Sequence, residues 1–244
     1  PIVSPANRMF QWLKKPQKTA TICRLAAHVI VGNPYLEEYA LRYNERVTIV
    51  QSTIDTDLYV PKHSVSIKDR PVIGWSGSGT TIVHLETILG VFKALRERLD
   101  FRLKVVGKHD FHLPGIDVQS IPWQAASEVA DLLDIDIGLM PLPDNDWSKG
   151  KCGMKALQYM ALGIPTVASP VGVNAELIRD GQNGFLASTP QEWTEKISLL
   201  LRDEGLRRRF SREGRRTVEQ RYSSRVQAPC VLDILRRSAA GRDS

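Results

Sequence analysis

Short runs rich in aliphatic and β-branched residues alternate along this chain with longer stretches whose apolar residues recur every third or fourth position. The runs read as strands: AAHVIVGN (a buried one), RVTIVQ, residues 72–75, FRLKVVG, IDVQSI, DIGLMPL, PTVASP and GFLA. The stretches between them read as helices: PYLEEYALRYN, residues 84–98, ASEVADLLD, a helix opening within 148–163, NAELIRD and PQEWTEKISLLLRD. Two more helices close the chain, ending at VLDILRR, and a short one is expected around residues 9–13. Asn33 and Pro34 mark one helix start, a capping side chain followed by a proline at the first helical position. STIDTDLYVPKHSVSIKDR is polar and without period, and reads as a linker.

Strands alternating with helices predict an α/β fold: a Rossmann-like parallel sheet with helices on both faces, preceded by a partial α/β N-terminal segment. In such sheets ligands bind beyond the carboxyl ends of the strands, near the point where strand order reverses. The loops after those ends are where chemistry is expected.

Composition narrows the picture a little. The 244 residues suit one large domain or two small ones, with 42% hydrophobic and 25% charged residues as in soluble globular proteins. No apolar run is long enough to span a bilayer, and no signal-peptide pattern is visible. Cys23, Cys152 and Cys230 are far apart and form no metal-binding spacing, which predicts a reducing compartment, the cytoplasm, with a peripheral place at a membrane compatible with the charge. A formal charge of +6 points to an anionic partner, and nucleic acid, anionic lipid and phosphorylated metabolites all fit. Acidic residues interleave the basic segment LRDEGLRRRFSREGRRTVEQR, which favours a solvated helix face over a nucleic-acid patch.

Three stretches could carry chemistry. In GWSGSGTT a strand runs into glycines and hydroxyls, so Gly77 and Ser78 could bring backbone against a phosphate, although a plain strand-to-helix turn explains the composition as well. In SKGKCGMKALQYMALG, a helix carrying Lys151 and Lys155 at its start would place them with Gln158 on one face, and Met154, Leu157 and Ala161 on another. Gly150 and Gly153 bracket that helix start and leave amides open to an anion. A helix start already carries positive partial charge, so two added ammonium groups suggest a diphosphate, held with the backbone of Cys152, Gly153 and Met154. Gln158 could bond to hydroxyl groups. The competing reading pairs the lysines with Asp144 or Asp146. Cys152 reads as a packing residue. In SPVGVNAELIRDGQNGFL, Ser169, Gly172 and Asn174 precede a helix; capping accounts for Asn174 and the helix dipole for Glu176. DGQNGF is a turn with Gly181 and Gly184 expected at positive φ. The histidines form no cluster; His109 and His112 sit in one loop and read as surface residues. Trp75, Trp123 and Trp147 lie near strand ends, and core packing is the default for each.

The order of these motifs resembles the group 1 retaining glycosyltransferases of GT-B fold. LQYMALGIPTVAS and ELIRDGQNGFL carry the resemblance, which covers about residues 20–230. It implies a donor-binding domain for a nucleotide-diphosphate sugar and no bound metal or other cofactor. The family's signature has two glutamates eight positions apart, the first on donor-sugar hydroxyls and the second on the ribose. Those positions fall on Gly150 and Gln158. Gln158 can still bond a diol, whereas Gly150 has no side chain for the sugar. The family's basic residues after the first glycine loop are absent, and Lys151 and Lys155 would supply that charge. By the same resemblance residues 1–61 are a remnant of the acceptor domain and linker, 62–222 the donor domain, and 223–244 a helix crossing back. So short an N-terminal part implies a fragment, a truncated product or half of a split enzyme, able to bind donor yet not to transfer sugar. Implied partners are a carbohydrate or lipid-linked acceptor, and a second copy or another chain supplying the acceptor domain, but no nucleic acid. The alternative is a non-catalytic nucleotide-sugar-binding or protein-interaction module.

Overall fold

The computed structural model describes residues 17–62, 64–67 and 70–240; the helix expected at residues 9–13 lies outside them. The chain opens with α1 (Gln17–Leu25), which the sequence pattern did not reveal because QKTATICRL buries only Ala20 and Cys23. Strands β1 (Val29–Val31) and β2 (Val47–Ile49) pair in parallel with Val29 opposite Val47, and α2 (Pro34–Leu41) crosses between them. Asn33 caps α2 as expected, its side chain accepting from the Leu36 N–H. Strand β1 is not buried as expected. Each strand of so small a sheet has one neighbour, and Ile30 is left 43% exposed.

The larger sheet has six strands: β3 (Val72–Ser76), β4 (Arg102–Val106), β5 (Asp117–Ile121), β6 (Ile137–Met140), β7 (Thr166–Ala168) and β8 (Phe185–Leu186). Their spatial order is β5-β4-β3-β6-β7-β8 and every pairing is parallel. The chain steps outward through β3, β4 and β5, then returns to the other side of β3 for β6, β7 and β8. Strand order therefore reverses between β3 and β6.

Helices α3 (Ile82–Glu86), α4 (Leu89–Arg96), α5 (Glu128–Leu133), α6 (Asp146–Lys149), α7 (Met154–Ala161), α8 (Asn174–Leu177) and α9 (Pro190–Arg202) connect the strands and follow the sheet. Two more, α10 (Glu204–Arg221) and α11 (Ser224–Ala240), complete the described chain. Alternate strand residues feed two cores. Ile73, Trp75, Leu103, Val105, Ile137 and Leu139 join Phe92, Trp193 and Phe210 on one face. Met140 and Ala168 join Leu132, Tyr159, Met160 and Val218 on the other. With both faces covered, the inner strands β3, β6 and β7 need no polar side and read as largely apolar runs, whereas β5 at the sheet edge is only half-buried and keeps Gln119 and Ser120.

Two expectations need correction. The single helix over 84–98 is two, because the Thr87 hydroxyl turns back to the His84 carbonyl (2.7 Å) where α3 ends. Gly184 does not have positive φ; only Gly181 of that turn does, at 72°. The segment after β2 is irregular as expected, and it is tied to the rest of the molecule. Ile54 bridges Ser223, Tyr59 and Val65 are buried, and Arg215 of α10 binds the carbonyls of Thr56, Tyr59 and Ala161. The basic segment forms α10, where Arg208 pairs with Glu204 and Arg215 with Glu219 along one face.

Candidate functional site

Two loops meet where the strand order reverses. One runs from the end of β3 through Gly77 to Thr81. The other leaves β6 and passes through α6 to the start of α7. Tyr159 of α7 ties them together: its fully buried hydroxyl accepts the Ser76 N–H (2.8 Å).

The start of α7 is shaped by Gly153, which takes φ 72° and offers no capping side chain. A Cβ there would be strained and would sit 2.9 Å from Val173. The N–H groups of Cys152, Gly153, Met154 and Lys155 have no hydrogen-bond partner among the described residues. Lys151 is not on the helix. Gly150 ends α6 and Gly153 opens α7, so Lys151 lies in the connection between them and the expected helical face with Lys155 and Gln158 is not formed. The side chain of Met154 is exposed, and Leu157 and Ala161 are buried.

The two lysines stand beside tryptophans. The Lys151 ammonium lies 5.6 Å from the Trp147 ring centroid and that of Lys155 5.7 Å from Trp75. Gly77 lies against that same Trp75 ring, since a Cβ at this position would come within 2.1 Å of it. Neither lysine has a carboxylate partner among the described residues, and Asp144 is taken by Lys149 (3.2 Å). The competing ion-pair reading is therefore not what forms. Burial, and then the charge of Lys151, push the Lys155 ammonium down to about 8; burial lowers Lys151 as well.

His84, on α3 just past the glycine loop, shares this field. Burial first, then Lys151 and Lys155, hold its imidazole at about 4. It is 8% exposed and its Nδ1 is sealed without a partner. Ser148 Oγ and Asn174 Oδ1 are also buried and unpartnered. Asn174 does not cap its helix as expected: it is the first residue of α8, its Nδ2 bonds the Ser169 carbonyl (3.1 Å), and a Cβ on Gly153 would lie 3.8 Å from its Oδ1. Such orphaned atoms are uncommon in folded proteins. Of the five among the described residues, these three belong to the elements around the start of α7, and the other two are Arg70 Nε and Tyr222 Oη.

The other sequence-derived residues are placed as follows. The Gly77 N–H is engaged by the Val106 carbonyl (2.9 Å) and the Ser78 N–H by the Thr81 hydroxyl (2.9 Å), so Ser78 presents its hydroxyl, shared with Thr80, more than its amide. Gln158 is 7% exposed, and its Nε2 donates to the Tyr59 hydroxyl (3.0 Å). Tyr59 in turn donates to Glu128, which also accepts the Trp123 indole N–H. Burial and Glu128 push Tyr59 up to about 12. Cys152 is half-buried, with a free thiol. His109 and His112 are exposed. Sequence reasoning missed His84 and Asn33, whose neighbours here are far away in the chain.

The described residues contain no cluster of side chains suited to a metal, and no helix long and apolar enough to cross a membrane. Two surface hollows of about 530 and 380 Å³ lie away from the lysines, one beside Phe185 and Arg209, the other between α4 and α9.

A family model for glycosyl transferases group 1 matches residues 61–217. The chain belongs to this family. An uncharacterized glycosyltransferase of Methanocaldococcus jannaschii is 38% identical over 208 residues, covering 74% of this chain and 56% of that relative. Among solved structures, sucrose-phosphate synthase from Thermosynechococcus elongatus superposes with a TM-score of 0.76 at 17% identity, covering 95% of this chain and 64% of the synthase. HepE of Anabaena, solved in complex with UDP and glucose, gives 0.71 at 16% identity, covering 91% and 67%. The fold of this group 1 glycosyl transferase is thus GT-B-like, and the chain spans about half to two thirds of the length of these relatives.

Proposed function

We propose that this chain binds a nucleoside-diphosphate sugar at the reversal point and serves glycosyl transfer with retention, as an enzyme or as its donor-binding part. One observation carries the reading: two ammonium groups with no carboxylate partner among the described residues lie at a helix start whose amides are open and whose first turn is set by the left-handed Gly153. Cleaving sugar from diphosphate leaves negative charge on the leaving group, and fixed donors aimed at that charge lower the barrier. Lys151, Lys155 and the amides of Cys152, Gly153 and Met154 would hold the phosphates, with Gly77 and the Ser78 hydroxyl closing from the opposite loop. The carbonyl oxygen of Gln158 would accept from a ribose hydroxyl. UDP is the first nucleotide to try, because HepE was solved with it.

On this reading residues 62–222 form the donor unit, 1–61 belong to the acceptor side, and 223–244 are the returning segment that holds α11. Exposed Ile22, Leu25, Ile30 and Leu41 support a second copy or another chain completing the acceptor side, which would receive a carbohydrate or lipid-linked acceptor. The net charge of +6 suits a cytoplasmic protein at the edge of an anionic membrane.

Titration calorimetry and thermal shift with UDP and UDP-sugars test this. At a hundred times its dissociation constant a true ligand stabilises the fold by about 2.7 kcal/mol. Equal UDP affinity in wild type and in the Lys151→Ala, Lys155→Ala double variant would refute the proposal. Gly150, where the family carries a sugar-binding glutamate, favours a second reading, a binding module without transfer. Release of labelled sugar from the donor by the chain would exclude that one.

A further inference from the structure

We infer that Asn33 positions the Lys151 loop for the diphosphate, and so couples docking of the β1–α2 segment to donor binding. This rests on the donor reading above. Asn33 belongs to the N-terminal segment, yet it is 2% exposed because the loop after α6 covers it. Its Oδ1 accepts the Leu36 N–H (2.9 Å) and caps α2. Its Nδ2 donates across the molecule to the carbonyls of Lys149 (3.2 Å) and Lys151 (3.1 Å) and reaches the Cys152 sulfur at 3.8 Å. These partners fix which amide atom is which, since only nitrogen can serve two carbonyls. The neighbouring Gly32 packs so closely that a Cβ would come within 2.4 Å of the same sulfur.

The consequence follows from peptide geometry. In a planar trans peptide the C=O and the next N–H point in opposite directions. With the Lys151 carbonyl drawn toward Asn33, the Cys152 N–H is turned away from the N-terminal segment. That N–H is the first of the open amides at the helix start, and Lys151 carries one of the two ammonium groups. A single side chain therefore presets both. Coupling of this kind is reciprocal: a ligand gripping the loop tightens its hold on α2.

Asn33→Ser separates the two duties. Serine keeps a capping oxygen and adds no charge, but is too short and has too few donors to reach both carbonyls. Two measurements decide. Calorimetry with uridine diphosphate, run well below the unfolding temperature, should show affinity weakened roughly tenfold in Asn33→Ser. A purely structural role would lower the melting temperature and leave the affinity of the folded protein unchanged, and that result overturns the inference while the donor reading stands. Hydrogen exchange on the wild type needs no variant: saturating uridine diphosphate should slow exchange in residues 34–41. Exchange there that ignores bound nucleotide also overturns the inference. A wild type that binds neither uridine diphosphate nor adenosine, guanosine, cytidine or thymidine diphosphate removes the donor reading and this inference with it.

Discussion

Replacing Lys155 by methionine should make the protein more stable and less able to bind nucleotide. The substitution removes a buried charge and keeps an unbranched chain against the Trp75 ring. Burial, then Lys151, displace the ammonium from 10.5 to about 8. Such a displacement corresponds to about 3 kcal/mol. The side chain keeps some contact with water, which screens the interaction, so a gain of about 1–2 kcal/mol is expected. The sign follows from proton linkage. Below pH 8 both folded and unfolded chains carry the charge and the penalty is complete. Between pH 8 and 10.5 the folded chain gives up its proton first, and the penalty fades. For a chain of this size the variant should melt about 2–8 °C above wild type at pH 7, and the gap should close by pH 10.5. The same variant should lose most of the thermal shift caused by UDP. Scanning fluorimetry at pH 7 and pH 10.5, with and without UDP, measures all of this. A variant that melts at or below the wild-type temperature at pH 7, or keeps the full UDP shift, would show that the charge is neither strained nor used.

Asn33→Asp retains a capping oxygen but sets a carboxylate against two carbonyls at a buried position; urea unfolding should show a loss of about 2–4 kcal/mol, and a wild-type midpoint would contradict the assigned hydrogen bonds. His84→Gln removes a group held at about 4 against an ordinary value of 6.5. Wild-type stability should therefore fall as pH drops from about 6.5 toward 4, and the variant should fall less steeply; parallel urea midpoints across that range would remove His84 from the account. Tyr59→Phe strips Gln158 and Glu128 of a shared hydroxyl and should cost about 1–2 kcal/mol in chemical denaturation, and no measurable cost would mean the network is dispensable.

Features written over a few neighbouring residues were legible in the sequence. The inner strands of the large sheet showed as apolar runs, Asn33 and Pro34 announced α2, and Gly153 marked the start of α7. The lysine pair was legible as charge placed against the usual polarity of a helix start. What escaped depends on partners distant in the chain. Nothing local says that Asn33 will meet Lys149 and Lys151, 116 and 118 residues later, or that Tyr59 will meet Gln158, 99 residues on. The packing of the linker did not show because its apolar residues have no period of their own; Ile54, Tyr59 and Val65 are buried by remote elements, while Leu58 and Val60 stay exposed. Lys151 looked helical because spacing cannot show that two glycines interrupt the helix between α6 and α7. His84 gave no signal, since its importance lies only in which ammonium groups end up beside it.

Arg215 sets a rule for cutting this molecule. Its guanidinium grips the last turn of α7 through Ala161 and, in the same fork, two carbonyls that precede β3, those of Thr56 and Tyr59. A piece trimmed at residue 62 would keep the cation and forfeit two of its three acceptors, and the C-terminal end of the helix that carries Lys155 would fray first. Anyone transplanting the proposed nucleotide seat into another scaffold must therefore carry at least the stretch from Ile54 to Ser223, bridged at its two ends, together with the segment that holds Asn33 against the Lys151 loop.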